Sequence, residues 1–148
     1  MKIPFLIGRA VFGGFFVYNG INHFLNRGML AQYAGAKRVP APDAAVALSG
    51  AALLVGGVSI LLGIKPKLGT AAIIAFLAGV SPSIHNFWSA QDPGQRQNDM
   101  INFMKNMALL GGALALMGVE EPWPVSVPLA QPHGPRAMVR GILDKVAA

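Results

Sequence analysis

At 148 residues the chain is one domain's worth of protein, 53% hydrophobic and only 12% charged, with 18 glycines, a make-up of membrane proteins rather than of soluble cores. Its formal charge of +6 is scattered between apolar runs, which suits loops facing lipid headgroups and argues against nucleic acid as a partner. It has no cysteine, so thiol–disulfide exchange, Cys-ligated metals and iron–sulfur clusters are excluded for this chain by itself.

Four long apolar stretches predict an all-α fold: an integral membrane four-helix bundle with spans at about 4–26, 44–64, 68–89 and 100–119. These make a transmembrane domain over residues 1–121, followed by a Pro-rich linker and amphipathic tail over 122–148. The Met-Lys start followed by an apolar run has the look of a signal peptide. The apolar character continues to Phe24 with no small-x-small cleavage site, so it is expected to be a retained first span.

At about 100° per residue, Arg9, Gly13, Gly20 and His23 share one narrow sector of span one, and Asn19, Asn22 and Asn26 form an adjacent stripe. Residues 27–43 are expected to form a loop, stopped by Pro40-Ala-Pro42, with Asp43 as the N-cap of span two. Span two carries Ser49, Gly50, Gly56, Gly57 and Ser59, small residues that let helices approach closely in lipid. The short Lys65-Pro66-Lys67 turn makes spans two and three antiparallel neighbours.

Span three carries Ala71, Ala75, Gly79 and Ser83 at i+4 spacing, which predicts a packing ridge. Pro82 lacks an N–H, so a kink is expected just before His85, and Ser81, His85, Trp88 and Ser89 fall on one face. Gln91 to Asp99 is read as a polar connector around Pro93-Gly94. Span four opens with Asn102, Lys105 and Asn106. Glu120-Glu121-Pro122 ends it, and Trp123 suits an interfacial belt. In the tail, Val139, Ile142, Leu143 and Val146 oppose Arg136, Arg140 and Asp144, the pattern of a short interfacial helix or of a frayed end.

Alternation of the spans brings the end of span one, the start of span two, the end of span three and the start of span four to one membrane surface. That surface collects Asn19, Asn22, His23, Asn26, Ser49, Ser81, His85, Asn86, Trp88, Asn102, Lys105 and Asn106, whereas among comparably polar groups the other half holds only Arg9 and Ser59. Arg9 and His23 are separated by about 21 Å along the helix axis. A polar cluster in one half of the bundle is therefore expected, beneath the 27–43 and 90–99 segments. The positive-inside rule does not orient it, because Lys2, Lys65, Lys67 and Arg136 oppose Arg27, Lys37, Arg38 and Arg96.

Each polar group also has a structural reading. His85 can bond a freed carbonyl near Pro82, Lys105 can snorkel, Trp88 can sit in a belt, and Arg9 can meet lipid phosphate. Taken together, two histidines, a lysine and six amides in one half-bilayer favour a ligand pocket. Imidazole, ammonium and amide groups suit the carbonyl oxygens of a quinone. His23 and His85 have the relative depth of a bis-histidine haem site, a reading weakened by the lack of evident small residues around His85 to seat a macrocycle. No carboxylate falls within a span as drawn, which argues against a proton- or sodium-coupled transporter, and no hydrolase constellation is visible.

Gly8-Arg9 with Gly20-Ile-Asn22-His23-Phe24, Pro40 and Ser49-Gly50, His85-Asn86-Phe87-Trp88, and Lys105-Asn106 before Leu-Leu-Gly-Gly resemble the DoxX family over about residues 5–118. The resemblance implies a four-span bundle in the bacterial cytoplasmic membrane with both termini cytoplasmic. It also implies membership, for some relatives, of membrane oxidoreductase assemblies that include a quinone-reducing subunit. Carried over by position, Arg9, Asn22, His23, His85, Trp88, Lys105 and Asn106 are the motif residues. Three readings follow: a redox-associated subunit binding quinone or a similar lipid-soluble ligand, a non-catalytic accessory or scaffold subunit of a larger complex or homo-oligomer, and a carrier of lipid or small molecules.

Overall fold

The computed structural model describes residues 2–127. Five helices follow in order: α1 (Lys2–Leu25), α2 (Arg27–Ala36), α3 (Pro42–Leu62), α4 (Pro66–Ile84) and α5 (Pro93–Met117), with a 3-10 turn at Phe87–Ser89 between the last two. Four of them, all but α2, are long and apolar enough to cross a membrane. The chain is thus an all-helical integral membrane protein whose outward apolar side chains, such as Ile7, Val11, Leu48 and Val55, meet lipid.

The segment expected to be a loop contains α2 instead. Met29 to Ala36 is rich in strong helix formers, and Asn26 and Arg27 continue from α1 with little break. A hydropathy reading passes over it because the helix is short and only moderately apolar. Asp43 does not cap α3. Ala41 takes that position in a left-handed conformation, Pro42 starts the helix, and the Asp43 carboxylate accepts hydrogen bonds from the Arg27 guanidinium, one of them at 2.8 Å. The bond and the charge of Asp43 raise the Arg27 pKa above its ordinary value, but both groups are well exposed and solvent screens the pair.

Helix α5 begins seven residues before the expected span. Asp92 caps it by accepting from the Gln95 N–H at 2.7 Å, with Pro93 at the first helical position. Hydropathy marks where lipid begins, whereas caps mark where the helix begins. At the other break, α4 ends two residues after Pro82 rather than kinking through it, and the chain turns at His85.

Close approach of α1 and α3 sets the bundle. A Cβ added at Gly20 would lie 2.6 Å from the Leu54 backbone nitrogen, and one at Gly57 would lie 2.8 Å from the Gly13 carbonyl. Only hydrogen fits there. Around this crossing Phe16, Leu53, Ile60, Ile73 and Leu77 form the core. Helix α3 packs on α4 and α4 on α5, while α1 and α5 make little backbone contact. Gly63, left-handed at φ 68°, closes α3 before the turn into α4.

The chain after α5 folds back over one end of the bundle. Trp123 is 2% exposed and packs edge-on against Phe5 at 5.5 Å, so it is a core plug rather than a belt residue. Arg9 holds this segment: its guanidinium donates to the Pro124 and Val125 carbonyls, both at 2.8 Å. The Val127 N–H bonds the Leu62 carbonyl at 2.9 Å. The amphipathic stretch over 136–146 lies outside the described residues. The ridge Ala71, Ala75, Gly79 and Ser83 is exposed along one face of α4.

Gly20→Ala is expected to destabilise the protein by about 1–3 kcal/mol, because backbone must move to admit the methyl group. Gly79→Ala, with nothing within 4 Å of the new carbon, should leave stability unchanged or slightly raised. Thermal unfolding of the two variants in the same detergent compares them.

Candidate functional site

The end of the bundle under α2 holds a cavity of about 500 Å³. Its wall is mainly apolar, from Phe15, Phe16, Val46, Phe76, Leu77 and Leu109, and it is closed above by Leu30, Tyr33 and Val39. All five helices contribute to its lining. Asn19, Ser49, Ser83, His23, His85, Lys105 and Asn106 supply its polar lining. The expected convergence of these groups from α1, α4 and α5 is therefore present, since antiparallel neighbours joined by short turns carry their polar ends to one surface.

The histidines are held differently. His23 Nδ1 lies 2.8 Å from the Asn19 carbonyl one turn back, and the ring meets Phe76 edge-on at 6.0 Å. His85, freed from the helix at its end after Pro82, directs Nδ1 to Asp99 Oδ1 at 3.5 Å. Lys105 donates to Asn102 Oδ1 at 2.8 Å and keeps two further protons. Asn106 is 6% exposed, and its amide has no hydrogen-bond partner among the described residues.

Four residues expected at the site are elsewhere. Arg9 clamps the chain at the opposite end of the bundle. Asn22 accepts from Asn26 at 2.7 Å at the exposed end of α1. Trp88 is 56% exposed and stacks edge-on with Phe87 and Phe103, outside the cavity. Asn86 lies outside the lining and accepts from Lys37 at 3.4 Å. Ser81 is buried and spends its hydroxyl on the Leu77 carbonyl at 2.6 Å, so it is also no part of the cavity.

Asp99 is what the sequence reading missed. It was assigned to a connector, and the spans were read as free of carboxylates, yet it sits in the second turn of α5 and is fully buried. Lys37 pairs with it at 2.7 Å, while the Tyr33 hydroxyl and His85 approach its other oxygen at 3.5 Å. Gln95 donates in turn to the Tyr33 hydroxyl at 3.4 Å. One carboxylate thus ties α2, the end of α4 and α5 together directly above the cavity. A usable signal was present: Asp99 lies seven residues after the Asp92 cap, hence on the same helix face, two turns in.

Removing one partner of a buried ion pair strands the other charge. Lys37→Met is expected to cost about 3–5 kcal/mol, and adding Asp99→Leu to it should recover more than half of the loss. Unfolding of the single and double variants in detergent measures both.

A family model, DoxX, matches residues 5–86. The matched stretch includes Asn19, His23 and His85 but stops before Trp88, Asp99, Lys105 and Asn106, so the α5 side of the cavity lies beyond it. No curated protein and no solved structure matches the chain. With more than half of its length matched and four helices fit to cross a bilayer, the chain belongs to the DoxX family of integral membrane proteins.

Proposed function

We propose that this chain binds quinone, or a chemically similar lipid-soluble carrier, as a redox-associated subunit of a membrane assembly. The observation that carries the reading is the cavity itself: about 500 Å³, apolar along most of its wall, with His23, His85, Lys105 and Asn106 among its polar groups. A substituted ring with an isoprenoid tail has that division of chemistry, and the volume falls in the range of sites for small ligands. The site residues proposed are Asn19, His23, His85, Lys105 and Asn106. The chain has no cysteine to hold or pass electrons, so electrons would come from a partner subunit. The bacterial cytoplasmic membrane is the location that accords with this role.

A second reading, a non-catalytic accessory subunit or homo-oligomer, is favoured by the exposed small residues Ala71, Ala75, Gly79 and Ser83 along one face of α4, the last three of which also line the cavity. Small residues on an exposed helix face allow another helix to seat closely in lipid.

The test is mass spectrometry of the small molecules and polypeptides that accompany the full-length protein in mild detergent. Near-stoichiometric quinone, in its oxidised or hydroquinone form, is expected; the total of the two forms should fall about tenfold in His23→Ala and His85→Ala, where a hydroxyl loses its imidazole partner, and be retained in Trp88→Phe. A partner protein without any bound small molecule would transfer the assignment to the accessory role.

A further inference from the structure

Both cavity histidines are fixed through the same ring nitrogen. The partner of His23 Nδ1 is the Asn19 carbonyl at 2.8 Å. A carbonyl oxygen only accepts, so Nδ1 carries the proton. The partner of His85 Nδ1 is Asp99 Oδ1 at 3.5 Å, and the second oxygen of that carboxylate is paired with Lys37 at 2.7 Å. The carboxylate also accepts, so Nδ1 is again the donor. Lys37 already matches the charge of Asp99, and Lys105 lines the same cavity, so a second cation on His85 would have no anion of its own. No carboxylate lines the cavity, so no anion in the lining favours a second proton on either ring.

In a neutral imidazole with Nδ1 protonated, Nε2 is a lone-pair acceptor. Neither Nε2 has a partner among the described residues, and no fully buried side-chain nitrogen or oxygen there lacks one. Both Nε2 atoms are thus accessible, on rings that line the cavity. The donors in the same lining are the free protons of Lys105 and the Asn106 amide.

We infer that the cavity selects a ligand bearing hydroxyl groups over its carbonyl counterpart, so that of a quinone couple it takes the hydroquinone. This rests on the reading of the cavity as a quinone-type site and adds the oxidation state that it prefers. A hydroquinone hydroxyl donates to a histidine Nε2 and, with the same oxygen, accepts from Lys105 or Asn106. A quinone carbonyl satisfies only the lysine or amide and sets lone pair against lone pair at the imidazoles. Leaving one buried acceptor unpaired corresponds to about a 5- to 150-fold loss in affinity.

The full-length protein in lipid nanodiscs is titrated anaerobically with a short-chain benzoquinone and, separately, with its hydroquinone. The hydroquinone is expected to bind at least about fivefold more tightly. In His23→Gln and His85→Gln the new amide can donate, and the ratio should fall towards unity with the quinone gaining affinity. Equal affinities, or tighter quinone binding, in the unsubstituted protein would overturn the inference and leave the proposed function standing. No binding of either form would overturn both. Nitrogen NMR of histidine-labelled protein gives a check that does not depend on ligand or on folded variants. Protonated Nδ1 and bare Nε2 are expected at both cavity rings, and a protonated Nε2 at either one overturns the inference.

Discussion

A carboxylate buried among apolar helices is the constraint on which the polar half of this molecule depends. An isolated charge there is costly by several kcal/mol, and the cost is offset only by good partners. Asp99 finds them on three different elements: Lys37 and Tyr33 from α2, His85 from the end of α4, and the first turns of its own helix. The need of that one group therefore draws α2 down over the bundle, where it roofs the cavity, and turns His85 inward to line it. Without Asp99, the roof would be joined to the bundle mainly by α2 packing on α3 and by the exposed Arg27–Asp43 pair.

The two ends of the bundle are closed by different physics. At one end Trp123 fills the core and Arg9 ties down the returning chain through two carbonyls. That arginine spends its charge on backbone and has none to offer a ligand. At the other end polar side chains meet around open volume. Between them α1 and α3 cross at glycine contact, while α1 and α5 keep their backbones apart and meet through side chains such as Phe12 against Gly112. The packing is thus unequal: one helix pair meets backbone to backbone at its glycines, and the other mainly through side chains.

Much of this was legible from residues alone. The four spans were readable because lipid demands long apolar runs, and the convergence of His23, His85, Lys105 and Asn106 followed from alternating direction. Helix α2 was not readable from hydropathy, because it crosses nothing and its pattern is weak. Arg9, Trp88, Asn22 and Asn86 carried motif weight in sequence but have other partners in space: carbonyls, aromatic rings, an asparagine and a lysine.

The sequence by itself determined that the chain is helical, that it lives in lipid and which ends of its helices share a surface. These depend on composition and connectivity, quantities local to the chain. Only the tertiary structure decided that Asp99 is buried, which ring nitrogen each histidine exposes, and that a void remains among the polar groups. Those outcomes depend on what lies across a helix interface, where a partner 62 residues away, as Lys37 is from Asp99, leaves no mark in the local pattern.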